Sequence, residues 1–204
     1  MRGISLGLFV FAITGLTANA MAGEAELARV AAAMKHSFEE KRQATMERLS
    51  QDETQALCTV YADTPLPSAI AQKIAAINRA TLQLPAAGQY LGDWKRGELV
   101  AQTGTGLQYS DDPSKPAGGN CYACHELSAT ELAFGTIGPS LRQYGKLRGT
   151  STLVLENAWG KLYNSNAQMP CSNMPRFGHR RILTEQQLKD VMAYLFDAAS
   201  PVNQ

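Results

Sequence analysis

Cys121-Tyr122-Ala123-Cys124-His125 decides how the rest of this 204-residue chain is read. C-x-x-C-H is the pattern that attaches a c-type haem: the two thiols add across the haem vinyl groups as thioethers, and the next histidine reaches the iron as proximal ligand. Covalent attachment needs that order and spacing. A zinc site would want a second Cys or His pair at ligand spacing, and none follows. A thioredoxin-like dithiol would open a helix after a strand in a βαβ pattern, and no such strand precedes it. The motif therefore predicts one c-type haem held by Cys121 and Cys124, with His125 on the iron.

The N-terminus predicts the compartment. Residues 1–22 carry one positive charge at Arg2, an apolar run from Ile4 to Leu16, and small residues at Ala18, Ala20 and Ala22. This is the pattern of a cleaved secretory signal. The run is short for a bilayer span, and no later segment is apolar enough to be one, so the mature chain is expected to be periplasmic without a membrane span. Removing Arg2 leaves 18 basic against 18 acidic residues, a balance that points away from nucleic acid and from charged membrane surfaces. The charge is unevenly spread. Between Gly135 and Arg181 stand Arg142, Lys146, Arg148, Lys161, Arg176, Arg180 and Arg181 against the single acid Glu156, a basic stretch that could bias docking of a partner.

The haem uses two of the four cysteines and leaves Cys58 and Cys171. In an oxidising compartment such a pair most often bridges, with free thiols as the alternative. From Glu24 to Leu57 the chain has no Gly or Pro, and Leu27, Val30, Met34, Phe38, Met46 and Leu49 recur at helical spacing, which predicts one long amphipathic helix with a possible break near Ser50. A second helix is expected over 68–82. Asp93 is placed as the N-cap of a short helix whose central Gly97 costs roughly 1 kcal/mol against Ala, a reason to expect a close helix crossing there. The expected partner is the last helix, 184–199, which opens with Thr184-x-x-Gln187, a capping box. One further helix is expected over 151–163. No strand pattern or repeat occurs, so the fold is read as all-α: a signal peptide 1–22, a helical extension 23–90 and a haem domain 91–204.

The candidates for the sixth iron ligand are Met169, Met174, Met192 and His179. Met192 falls in the apolar stripe of the last helix and reads as core. His179 would give a lower-potential bis-His centre, and reads equally as a loop histidine; His36 reads as surface. Met169-Pro170 and Met174-Pro175 both sit in loops, where Pro keeps the backbone out of helix and lets the loop present a thioether. Met174 is favoured by the turn Pro175-Arg176-Phe177-Gly178 that follows it. On the other side, the carbonyl of Pro139 or a neighbour is placed to accept the His125 Nδ1 proton, although an ordinary Gly-Pro turn would read the same way.

The runs 93–106, Cys121 to His125, Gly138-Pro139-Ser140-Leu141, Met174 to Gly178 and the final helix, in this order, resemble the class I cytochrome c domain. More narrowly, 118–125, 135–141 and 173–178 resemble SoxX, the monohaem subunit family of the SoxAX complexes of sulfur oxidation. The resemblance implies Cys121 and Cys124 as haem attachments, His125 and Met174 as axial ligands, and an electron-transfer subunit of a haem-dependent L-cysteine S-thiosulfotransferase. Its implied partners are a SoxA-like c-type cytochrome that carries the thiosulfate chemistry, a SoxYZ-like carrier protein and a small external cytochrome as electron acceptor. A free-standing periplasmic carrier, and a ligand sensor with an open iron, are the alternatives the residues leave.

Overall fold

The computed structural model describes residues 14–204, so residues 1–13 of the expected signal segment lie outside it. The chain divides into two compact units, one ending at Ser50 and one running Gln51–Gln204. The first holds helix α1 (Thr14–Ser37), an isolated bridge between Lys41 and Ala44 and a 3-10 turn at Met46–Leu49.

The single helix expected over 24–57 does not form. The helix ends at Ser37 and a new one begins at Glu53. Arg42 takes a left-handed conformation at φ 52°, reversing the backbone so that Lys41 and Ala44 exchange hydrogen bonds of 3.1 and 2.9 Å. Asp52 then starts the next helix. Its backbone is extended, its carboxylate accepts from the Gln55 amide at 2.9 Å, and its own amide donates to the Gln55 side chain at 3.1 Å, a reciprocal capping box.

The second unit contains α2 (Glu53–Val60), α3 (Ser68–Arg79), α4 (Trp94–Gln102), α5 (Tyr144–Arg148), α6 (Thr152–Tyr163) and α7 (Glu185–Phe196). Among the described residues there is no strand beyond the isolated bridge, and the all-α reading holds. The short α5 was not foreseen. Residues 51–90, expected as part of an appended extension, pack in this unit because buried polar groups tie them to it. Asn78 Nδ2 donates to Thr54 Oγ1 at 2.8 Å, Asn164 Nδ2 donates to Asn78 Oδ1 at 2.9 Å, and the Trp159 indole donates to the Gln83 carbonyl at 2.7 Å. Buried groups of this kind stabilise only when paired, and these pairs join α2 to α3 and α3 to the segment after α6.

The core forms around the crossing of α4 and α7. Asp93 caps α4 as expected, accepting from the amides of Lys95 and Arg96, and Thr184 and Gln187 form the capping box of α7. Gly97 lets the helices touch: a Cβ at this position would overlap the Asp190 carbonyl and the Tyr194 Cβ. Asp190, with its side chain 4% exposed, receives Arg96 Nε and Nη2 at 2.9 and 3.0 Å, the Asp93 amide at 2.8 Å and the Gln186 amide at 2.9 Å. Burial works to raise this carboxyl, but the Arg96 bond, the Asp93 amide and Gln186 outweigh it and hold it below the usual carboxylate range. Its stabilisation is therefore full above the ordinary carboxylate value and is lost as pH falls through the depressed one. Met192, Tyr194, Leu188 and Val191 of α7 are buried alongside, so Met192 is core, as its place in the apolar stripe suggested.

Gly97→Ala should lower unfolding stability by about 1 to 3 kcal/mol, the range of an overpacked core, as measured by denaturant unfolding. A loss within ±0.5 kcal/mol would show that the crossing tolerates a methyl group and that Gly97 is not required for it.

Candidate functional site

The helix crossing positions the C-x-x-C-H motif through the chain leaving α4. Gly119 N donates to the Val100 carbonyl at 2.8 Å, Asn120 N to Thr103 at 3.0 Å and Gly118 N to Thr105 at 2.8 Å, and the α7 side chain of Gln187 donates to the Ala117 carbonyl at 2.6 Å. Asn120 takes a left-handed turn at φ 45°, a conformation in which Asn is enriched, and delivers the chain into the 3-10 turn Cys121–Ala123. There the His125 amide donates to the Cys121 carbonyl at 2.9 Å, one turn on. The Tyr122 hydroxyl shares a hydrogen bond of 2.9 Å with that of Tyr194, linking the motif back to α7. Burial, then the Tyr122 bond, drives the Tyr194 phenol far above its ordinary value, so it stays protonated.

A second segment lies against the motif. Gly135 N donates to Tyr122 O at 2.8 Å, Gly138 N to Cys124 O at 2.8 Å and Leu141 N to Glu126 O at 2.7 Å. This ladder sets Pro139 beside His125, whose Nδ1 lies 2.7 Å from the Pro139 carbonyl. A carbonyl only accepts, so Nδ1 carries the proton and Nε2 is left with a lone pair for a metal. Gly138 is pressed against the imidazole: a Cβ there would overlap the ring. The sequence expectation for Pro139 thus has a geometric basis.

The residues present suit a covalently attached haem. Cys121 and Cys124 are both free, half-buried and not bridged to each other. Burial pushes the Cys121 thiol up to about 12, the opposite of the lowered value that an attacking redox thiol needs. His125 is pre-oriented with one nitrogen available. Bound here, the group would be attached at Cys121 and Cys124 and ligated by His125, and would supply a one-electron redox centre.

The candidate sixth ligands separate by environment. Met192 is fully buried in the core, and Met169 is 63% exposed. His179 is half-buried; burial first, then Arg176 and Arg180, hold its imidazole below the ordinary value. Met174 is half-buried and packs against the core cluster. Its carbonyl accepts from Ser165 Oγ at 2.6 Å and its amide donates to Ser172 Oγ at 3.1 Å. The spare cysteines meet as expected: Cys58 in α2 and Cys171, three residues before Met174, form a disulfide with Cα atoms 5.5 Å apart. His36 lies on exposed surface of α1.

Sequence reasoning missed Asp52. Its Oδ2 lies 2.7 Å from Arg176 and 2.6 Å from Arg180, both in the loop that follows Met174. Burial works to raise this carboxyl, but the Gln55 amide and the two guanidinium groups prevail and hold it low. Asp52-x-x-Gln55 is a capping signature visible in the sequence, but its arginine partners lie 124 and 128 positions away. The pairing also corrects the expectation for the basic stretch. Arg176 is buried and paired with Asp52, and Arg142 lies 3.4 Å from Glu126, so neither adds an unpaired charge to a docking surface.

The profile of the cytochrome c family matches residues 87–198, more than half of the chain. A relative described as an uncharacterized lipoprotein of Aquifex aeolicus (strain VF5) is 40% identical over 128 residues, which cover 61% of this chain and 59% of that protein. The chain thus spans about three fifths of the length of the curated relative it matches. The chain belongs to the cytochrome c family. With membership come a covalently bound c-type haem and electron transfer as the coarse function. Among the described residues no helix is long and apolar enough to cross a membrane.

Gly138→Ala should displace the His125 ring from the Pro139 carbonyl. The expected outcome is a shifted reduction potential or reduced haem incorporation, measured by redox titration and by haem-to-protein ratio. An unchanged potential at full incorporation would mean that the Gly138 contact does not set the imidazole position.

Proposed function

We propose that this cytochrome is the electron-transfer subunit of a SoxAX-type L-cysteine S-thiosulfotransferase acting in the periplasm. The overall reaction joins thiosulfate to a carrier cysteine: R–SH + S₂O₃²⁻ gives R–S–S–SO₃⁻, one proton and two electrons. A new S–S bond forms, the two joining sulfurs are oxidised together by two electrons, and a haem bound to this chain would supply a one-electron centre to accept them. In this reading His125 and Met174 would both hold the iron, and the thiosulfate chemistry lies on a SoxA-like c-type cytochrome partner. The carrier cysteine belongs to a SoxYZ-like protein, and a small external cytochrome takes the electrons away.

The observation that carries the proposal is the construction of the Met174 loop. A disulfide on one side and an ion pair from the buried Arg176 on the other tie the loop to α2, a construction suited to an iron that stays six-coordinate. A closed His/Met iron offers no position to a substrate, and a methionine ligand raises the potential toward that of an acceptor. The residues at 118–125, 135–141 and 173–178 support the narrower assignment by their combination. Independent nucleophilic catalysis has little support, because the cysteines are consumed by attachment and by the disulfide.

The test is purification from the native source followed by reconstitution. The expected outcome is co-purification with a second c-type cytochrome, and thiosulfate-driven reduction of this chain only when that partner and a thiol-bearing carrier are both present. A stable monomer, reduced equally well by unrelated donors and indifferent to thiosulfate, would establish the free-standing carrier instead.

A further inference from the structure

Met174 is flanked by two long-range ties that both end on α2. Cys171, three residues before it, is bonded to Cys58. Arg176, two residues after it, is 8% exposed at its side chain and pairs with Asp52 at 2.7 Å. Asp52 divides its oxygens between two tasks. Oδ1 accepts the Gln55 amide that starts α2, while Oδ2 receives Arg176 and Arg180. Gln55 Oε1 takes a further bond from Arg180 at 2.9 Å. Asp52 and Cys58 are six residues apart, about 9 Å along a helix, so the loop is fixed at two separated points and resists turning as well as lifting.

Helix α2 is itself moored. Thr54, two residues after the cap, is buried and accepts from Asn78, which joins Asn164. Ser165, the next residue, holds the Met174 carbonyl. Asp52 therefore stands at the head of a rigid element whose other attachments lead back to the same methionine. Among the described residues no other carboxylate forms an ion pair with Arg176 or Arg180. Removing the charge at 52 leaves Arg176 buried and unpaired, the costly way to break such a pair.

We infer that Asp52 is a positioning residue for the Met174 ligand: through Arg176 and Arg180 it clamps the ligand loop to α2 and keeps the thioether from leaving the iron. The inference rests on Met174 as sixth ligand, and its test separates the two. The haem-loaded full chain is compared with Asp52→Asn, Asp52→Glu, Arg180→Gln and, as a control for stability alone, Asn203→Ala at the C-terminal end of α7. Three quantities are read: carbon monoxide binding to the reduced protein, the methionine-to-iron charge-transfer band of the oxidised protein, and thermal stability.

The parent should exclude carbon monoxide. Asp52→Asn should bind it at least roughly tenfold faster, as expected when the open loop population rises, and should lose intensity in the charge-transfer band. Asp52→Glu should recover part of the band. Arg180→Gln, which removes only the more exposed arm, should fold and show a smaller gain in the same direction, so it decides the matter if Asp52→Asn yields no haem-loaded protein. Asn203→Ala, which loses the bonds of a buried side chain to the Leu195 and Asp197 carbonyls, should lower thermal stability with the band intact. A parent that binds carbon monoxide freely overturns the Met174 reading itself. A parent that excludes it, with Asp52→Asn or Arg180→Gln spectrally unchanged and only less stable, overturns the positioning role alone.

Discussion

The close approach of α4 and α7 at Gly97 is the constraint on which the rest of the second unit depends. With no side chain at 97, the Asp190 backbone reaches the α4 backbone, and the Asp190 carboxylate can then take Arg96 and the Asp93 amide together. A buried carboxylate with four donors is stable only in that arrangement, so the crossing has one register and not several. From it the chain runs through the Val100–Gly119 and Thr103–Asn120 bonds into Cys121, while Tyr194 reaches Tyr122 from the α7 side. The placement of His125 is thus inherited from helix packing.

The other side of the site is built differently. No helix carries Met174, the proposed sixth ligand; a loop does, and loops hold a ligand only as well as their anchors allow. Here the anchors are covalent and ionic, and both reach α2, far earlier in the chain. In the chain-entropy model a disulfide closing a loop this long contributes up to about 4 to 5 kcal/mol, less any strain. Its local consequence matters more for function. Cys171 sits in a left-handed turn at φ 60°, and the bond to Cys58 fixes that turn three residues before Met174. A centre whose ligands stay put in both oxidation states is suited to passing electrons, which is the function that membership of the cytochrome c family carries.

What the sequence made legible follows the range of the interactions. Local signals read correctly: the Asp93 cap, the Thr184 capping box, the glycine at a crossing, and the apolar stripe that makes Met192 core. The disulfide was legible for a different reason, since elimination left only Cys58 and Cys171. The end of the first helix at Ser37 was not legible, because no Gly or Pro marks it; the chain turns at a left-handed Arg42 further on and returns to helix only at the Asp52 cap. The basic stretch 135–181 read as surface charge, yet the acid that neutralises Arg176 lies outside the stretch and outside any local window. Composition within a segment says nothing about partners 124 residues away. The membership of residues 51–90 in the haem-bearing unit was hidden for the same reason, since it rests on Thr54, Asn78 and Asn164 meeting in the interior.

The central claim is an iron held by His125 and closed by Met174, and the spectrum of ligand variants tests it most directly. The haem-loaded parent is expected to be low-spin and six-coordinate with a methionine-to-iron charge-transfer band. Met174→Ala should abolish that band and open the iron to added ligand, while Met169→Ala should leave the spectrum unchanged. Retention of the band in Met174→Ala, or its loss in Met169→Ala, would contradict the account.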